Sequence, residues 1–137
     1  MIVYLVVFVI SLLSVWLFVK IRDYQLSRDP MLKRIRNKTE ALHPAVKNIK
    51  MFKGSKSYTI NKSRIYLCLK DEKGQYYNEN MLIYVFIHEL AHYLNKEDVG
   101  HTPKFFEIFN ELINKAVKLG IYDDSIPPLN NYCGEVY

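Results

Sequence analysis

Cysteine is scarce in this chain: Cys68 and Cys133 are the only two in 137 residues, too few for a disulfide framework. The five glycines and five prolines are scattered, and no internal repeat or low-complexity stretch appears. No Lys or Arg precedes Lys20, and Ile2 to Val19 carries no charge at all. That absence is informative. A cleaved signal peptide needs a basic residue before its apolar run and a small-residue cleavage site after it. This run exits through Leu17-Phe18-Val19-Lys20 instead, which favours a retained transmembrane anchor at the short end of the range.

The run gives way to a basic stretch with Lys20, Arg22, Arg28, Lys33 and Arg34. The positive-inside rule therefore places the N-terminus outside and the body in the cytosol, where both cysteines are expected as reduced thiols. Two sequons, Asn37-Lys38-Thr39 and Asn61-Lys62-Ser63, would matter only on a luminal side. The net charge of +5 is unevenly divided. Lys20 to Gln75 holds 15 basic and 5 acidic residues, and Tyr76 to Tyr137 holds 4 and 9. A basic membrane-proximal half suits anionic lipid headgroups. Nucleic acid is the sharper alternative, but the basic residues show no interleaving with aromatics.

The motif that carries chemistry is His88-Glu89-Leu90-Ala91-His92. Histidines at i and i+4 of a helix share a face one turn apart, so two imidazoles can bind one Zn²⁺ with a glutamate beside them as general base. A catalytic zinc site takes three protein ligands. His101 is the favoured third: it follows Gly100 at an expected corner, it opens a capped helix, and Phe105, four residues on, can pack beneath the site. Glu111, at the thermolysin-like spacing, and Glu107 are the other candidates. Cys133 could fold back as an inhibitory thiolate or as the fourth ligand of a purely structural site. Tyr132 or Tyr137 could donate to an oxyanion, and the residues do not choose between them. His43, before Pro44, reads as a loop residue.

Around the motif the pattern predicts an α+β body. Asp29-Pro30 starts a basic helix that His43-Pro44 ends. Val46 to Leu69 reads as two or three short antiparallel strands with polar turns, and Ile65 to Leu69 as an edge strand that could hold an extended peptide. Asn78 or Asn80 caps a helix from Met81 to Leu94 that is apolar on most faces and so buried. Thr102-Pro103 opens a second helix, to about Leu119, with Gly120 as its C-terminal cap. The tail from Asp123, with Pro127-Pro128, is an irregular segment lying over the domain. The expected organisation is an anchor over 1–22, a juxtamembrane linker and basic helix over 23–44, and a zinc domain over 45–137.

Ile87-His88-Glu89-Leu90-Ala91-His92 and Gly100-His101-Thr102-Pro103-Lys104-Phe105 resemble the WLM and SprT-like zinc metallopeptidases. Tyr132-Cys133-Gly134 is similar to a tail motif of short WLM-like forms found in large DNA viruses. The resemblance runs from about Tyr58 to the end. It implies a minimal zincin fold with a small antiparallel sheet, zinc on His88, His92 and His101, Glu89 as the catalytic residue, and proteolysis of a protein or peptide substrate. In that group the substrates are often DNA-bound or ubiquitin-family-modified proteins. The spacing to the third histidine differs from the cellular SprT-like enzymes, and an anchor is not expected of a nuclear repair protease. A viral form would sit on a virion or host membrane. The sequence thus reads as a membrane-anchored zinc metallopeptidase, with a non-catalytic structural membrane protein carrying a stabilising zinc site as the alternative.

Overall fold

The computed structural model describes residues 1–137. Its elements, in chain order, are helix α1 (Ile2–Ser27), helix α2 (Pro30–Thr39), a 3₁₀ turn (Pro44–Asn48), strands β1 (Lys50–Lys53), β2 (Tyr58–Ile60) and β3 (Arg64–Leu67), and helices α3 (Glu79–Leu94) and α4 (Pro103–Lys118). The architecture is α+β, with one small sheet and four helices.

α1 has no buried residue, and its apolar run is uncovered along its whole length. The helix is long and apolar enough to cross a membrane. It continues through the juxtamembrane stretch to Ser27, where Arg28 closes it. That extension packs on the body: Asp23 Oδ2 pairs with Arg64 at 3.2 Å, and the Arg64 guanidinium also lies over the Phe52 ring. Asp29 then caps α2 by accepting from the Met31 N–H, with Pro30 at the first helical position. α2 ends at Thr39, ahead of the expected His43-Pro44 stop. His43 has a role of its own there. Its Nδ1 accepts from the Ala45 N–H and caps the 3₁₀ turn.

The sheet departs from the all-antiparallel expectation. Its order is β1-β3-β2, with β1 parallel and β2 antiparallel to β3. β1 and β2 do not pair as a hairpin; the chain carries β2 to the far side of β3. β3 is therefore central, and Ile65 and Leu67 are fully buried. The edge strands are β1 and β2, not the Ile65–Leu69 segment.

α3 crosses the core. Met81, Leu82, Ile83, Val85, Phe86, Ile87, Leu90 and Ala91 are all buried, which is why its apolar residues are not confined to one stripe. α4 is amphipathic and lays Phe105, Phe109, Leu112 and Ala116 against it. Arg34 and Lys38 of α2 both pair with Glu79 in the first turn of α3. The tail is pinned rather than loose. Tyr132 is fully buried, its hydroxyl shares a hydrogen bond with Ser57 Oγ at 2.9 Å, and it donates to the Cys68 carbonyl. Cys133 is disulfide-bonded to Cys68. The expected pair of reduced thiols is thus corrected: the Tyr132 anchor brings residues 65 apart in sequence into bonding range.

Candidate metal centre

His88 and His92 project from one face of α3, a turn apart. His101 arrives from the corner before α4. Three local features build that corner. Gly100 takes φ +88°, a conformation that penalises any Cβ. Thr102 caps α4 by accepting from the Phe105 N–H. Buried Asn95 donates to Asp98 Oδ1, which also accepts from the Thr102 hydroxyl at 2.7 Å. The turn is therefore held across its width by side-chain hydrogen bonds.

These elements bring His88, His92 and His101 together, with one ligating atom from each within 4.8 Å of the others. His101 Nε2 lies 3.0 Å from His88 Nε2 and 3.2 Å from His92 Nε2. Three ring nitrogens at that range cannot all be satisfied by one another, because a nitrogen with its lone pair facing another lone pair is repelled. A central cation satisfies all three. Tetrahedral ligands on zinc–nitrogen bonds of 2.0–2.1 Å would be separated by about 3.3 Å, close to the spacing here. The donor set therefore fits a metal ion. Phe105, fully buried, forms the floor as expected: its ring stacks on His92 at 4.3 Å and meets His88 edge-on at 4.9 Å.

Burial holds His88 down to about 3, assisted by the neighbouring His92 and His101, and holds His92 down to about 4. Both imidazoles are neutral at cellular pH, the form that binds metals. Glu89 points inward and is 3% exposed. Burial pushes it up to about 7, against the Thr59 hydroxyl, which donates to its Oε2 at 2.8 Å and favours the carboxylate.

The other ligand candidates are not brought here. Glu111 and Glu107 are exposed on α4, and Glu107 pairs instead with Lys104. Cys133, held by Cys68, has no thiolate to offer as inhibitor or fourth ligand. Tyr132 is consumed by the tail anchor, whereas Tyr137 packs edge-on against His88 at 5.1 Å and donates to the Ser57 carbonyl. Thr59 and Asn95 carry no motif that sequence reasoning could single out with force. A threonine between Tyr58 and Ile60 in a strand is ordinary, and only the crossing of β2 over α3 points it at Glu89. Asn95 gives a weak signal, as an Asx residue three positions before Asp98.

The histidines and Glu89 open into a cavity of about 500 Å³, with Thr59, Lys62, Glu135 and Tyr137 in its walls. A larger cavity of about 840 Å³ lies beside the disulfide, away from the histidines, and gathers no comparable set of ligands.

Comparison with known proteins places the chain among viral sequences. It is 51% identical over 88 residues to uncharacterized protein 136R of Invertebrate iridescent virus 6, covering 62% of this chain and 49% of that protein. It is 42% identical over 87 residues to uncharacterized protein 042R of Invertebrate iridescent virus 3, covering 63% and 54%. An uncharacterized protein of Acanthamoeba polyphaga mimivirus is 41% identical over 85 residues, covering 58% and 42%. The chain thus spans about half the length of the curated relatives it matches. No family model matches the chain, and no solved structure does.

Proposed function

We propose that this protein is a membrane-anchored zinc metallopeptidase. The observation that carries the reading is the convergence of three imidazoles beside one buried carboxylate at a cavity. Zinc bound by His88, His92 and His101 would lower the pKa of a water and polarise a scissile carbonyl. Glu89 takes the proton from the attacking water and returns it to the leaving amine. The Thr59 hydroxyl, donating to Oε2, holds the carboxylate in place. β2 offers its free edge along the cavity, so an extended substrate can add there as a further strand, in the role that the sequence pattern suggests for Ile65–Leu69. Tyr137 lines the same cavity, and its hydroxyl, which donates to the Ser57 carbonyl, would turn from that partner to donate to a developing oxyanion.

α1 is the anchor. Positive charge after the span favours a cytosolic body, whereas the Cys68–Cys133 bond favours the opposite orientation, since cytosolic thiols are kept reduced.

The test is zinc content and peptide cleavage by the full chain in detergent. The expected result is one zinc per chain, lost in His101→Ala and kept in Glu111→Ala. Cleavage of a random peptide library should be present in wild type and lost at least 100-fold in zinc-loaded Glu89→Gln. A well-folded wild type that binds no zinc, or a Glu89→Gln variant that cleaves as well as wild type, would overturn the reading.

A further inference from the structure

The end of α1 does more than connect the span to the body. Ile2 to Val19 rises about 27 Å as a helix, close to the ~30 Å hydrocarbon thickness of a bilayer. The headgroup layer on each side adds roughly 5–8 Å, which takes in Lys20 to about Tyr24. At that level a cavity of about 440 Å³ opens between α1, α2, the 3₁₀ turn and the sheet. Five basic side chains, Lys20, Arg36, Lys47, Lys50 and Arg64, line it against one acidic residue, Asp23.

Only Arg64 is paired within the protein, by Asp23, and the other four meet no carboxylate. Arg36 spends its N–H groups on the Val46, Lys47 and Ile49 carbonyls, which fix its guanidinium in the wall without supplying a negative charge. Lys47 and Lys50 are exposed at the mouth, and neither pairs with a carboxylate. A water-filled concavity with this excess of positive charge raises the local concentration of anions. Its height against the membrane span decides which anion is at hand.

We propose that this cavity binds the phosphate headgroup of an anionic phospholipid, seated beside the first turns of α1 beyond the span. The inference rests on α1 crossing a membrane. Bound there, the lipid bridges α1 to the body and sets the height of the metal centre above the bilayer.

The experiment uses the full chain in nanodiscs of phosphatidylcholine and phosphatidylserine, with retained lipid identified by native mass spectrometry. Quenching of Trp16, the single tryptophan, by lipids brominated in the acyl chain reports separately whether α1 is inserted. Wild type should retain phosphatidylserine in preference to phosphatidylcholine. Lys47→Ala with Lys50→Ala should reduce that preference by about 30-fold, taking roughly 1 kcal/mol per lysine. Lys96→Ala with Lys118→Ala removes the same charge far from the cavity and should leave the preference intact. Quenched Trp16 with no preference for phosphatidylserine, or an equal loss in both double variants, overturns the lipid site while the anchor stands. Unquenched Trp16 overturns the anchor itself, and the lipid site with it. Displacement of the lipid by millimolar inorganic phosphate, with phosphate held by the chain in detergent, would assign the cavity to soluble anions instead.

Discussion

At the scale of single residues, Glu89 and the histidines it sits among titrate in opposite senses. In the metal-free protein Glu89 has its value raised to about 7 from 4.5, so its contribution to stability is present below about pH 4.5 and lost as pH rises through 7. His88 and His92 are lowered from 6.5 to about 3 and about 4. The unfolded chain takes up their protons first, so their contribution is lost as pH falls below 6.5. Between pH 4.5 and 6.5 the two histidines outweigh the one carboxylate. Glu89→Gln removes the opposing member. The stability of the metal-free variant should therefore fall more steeply than wild type from pH 6.5 to 4.5, as read from urea midpoints in chelator. Parallel pH profiles would mean that Glu89 is not held protonated by burial. Gly100 sits at φ +88° with open space where a Cβ would go, so its constraint is backbone conformation and not crowding. Gly100→Ala should cost about 1–2 kcal/mol of stability by chemical denaturation.

At the scale of elements, the site is an intersection. α3 supplies His88, His92 and Glu89, the Asn95–Asp98–Thr102 turn aims His101, β2 braces Glu89, and the tail closes one wall. The disulfide ties that tail to the end of β3 across a 65-residue separation. Closing a loop of that length contributes about 4 kcal/mol in the chain-entropy account. Reduction, or Cys133→Ser, should lower the unfolding free energy by up to that amount. It should also loosen Tyr137 from His88, seen as exchange broadening of the Tyr137 ring in NMR spectra. Tyr137→Phe keeps the ring packing and removes only the hydroxyl. In the peptidase reading kcat should fall about 100-fold with KM nearly unchanged. An equal rise in KM would make Tyr137 a substrate-binding group instead.

At the scale of the whole molecule, one helix leaves a long apolar surface uncovered while the body folds around its own core. Removing residues 1–19 should leave a folded body with its three-histidine cluster intact, because no core residue comes from α1. Far-UV circular dichroism and zinc content check this. Orientation is read from glycosylation in cells. Asn37 and Asn61 are both exposed, so a luminal body should gain a glycan at one or both, and a cytosolic body at neither.

Much of this architecture is legible in local pattern. The apolar run, the Asp29, Asn78 and Thr102 caps, the buried and amphipathic characters of α3 and α4, and the approach of His101 stem from periodicity, capping chemistry and one glycine, all of which act within a few residues. The three candidate ligands belong to that class, because two lie one helical turn apart and the third sits at a nearby corner. Other features depend on contacts between residues far apart in the chain. Local pattern cannot tell which strand pairs with which, so the parallel β1–β3 pair and the edge position of β2 emerge only when the sheet assembles over α3. The same holds for Thr59 on Glu89 and for Cys68 meeting Cys133, each set by where the core places a strand or the tail. The chain by itself determined which groups could do chemistry, since identity and spacing are local. Only tertiary structure decided which were buried, paired or aimed at one another, because burial and pairing are settled by the closing of the whole core.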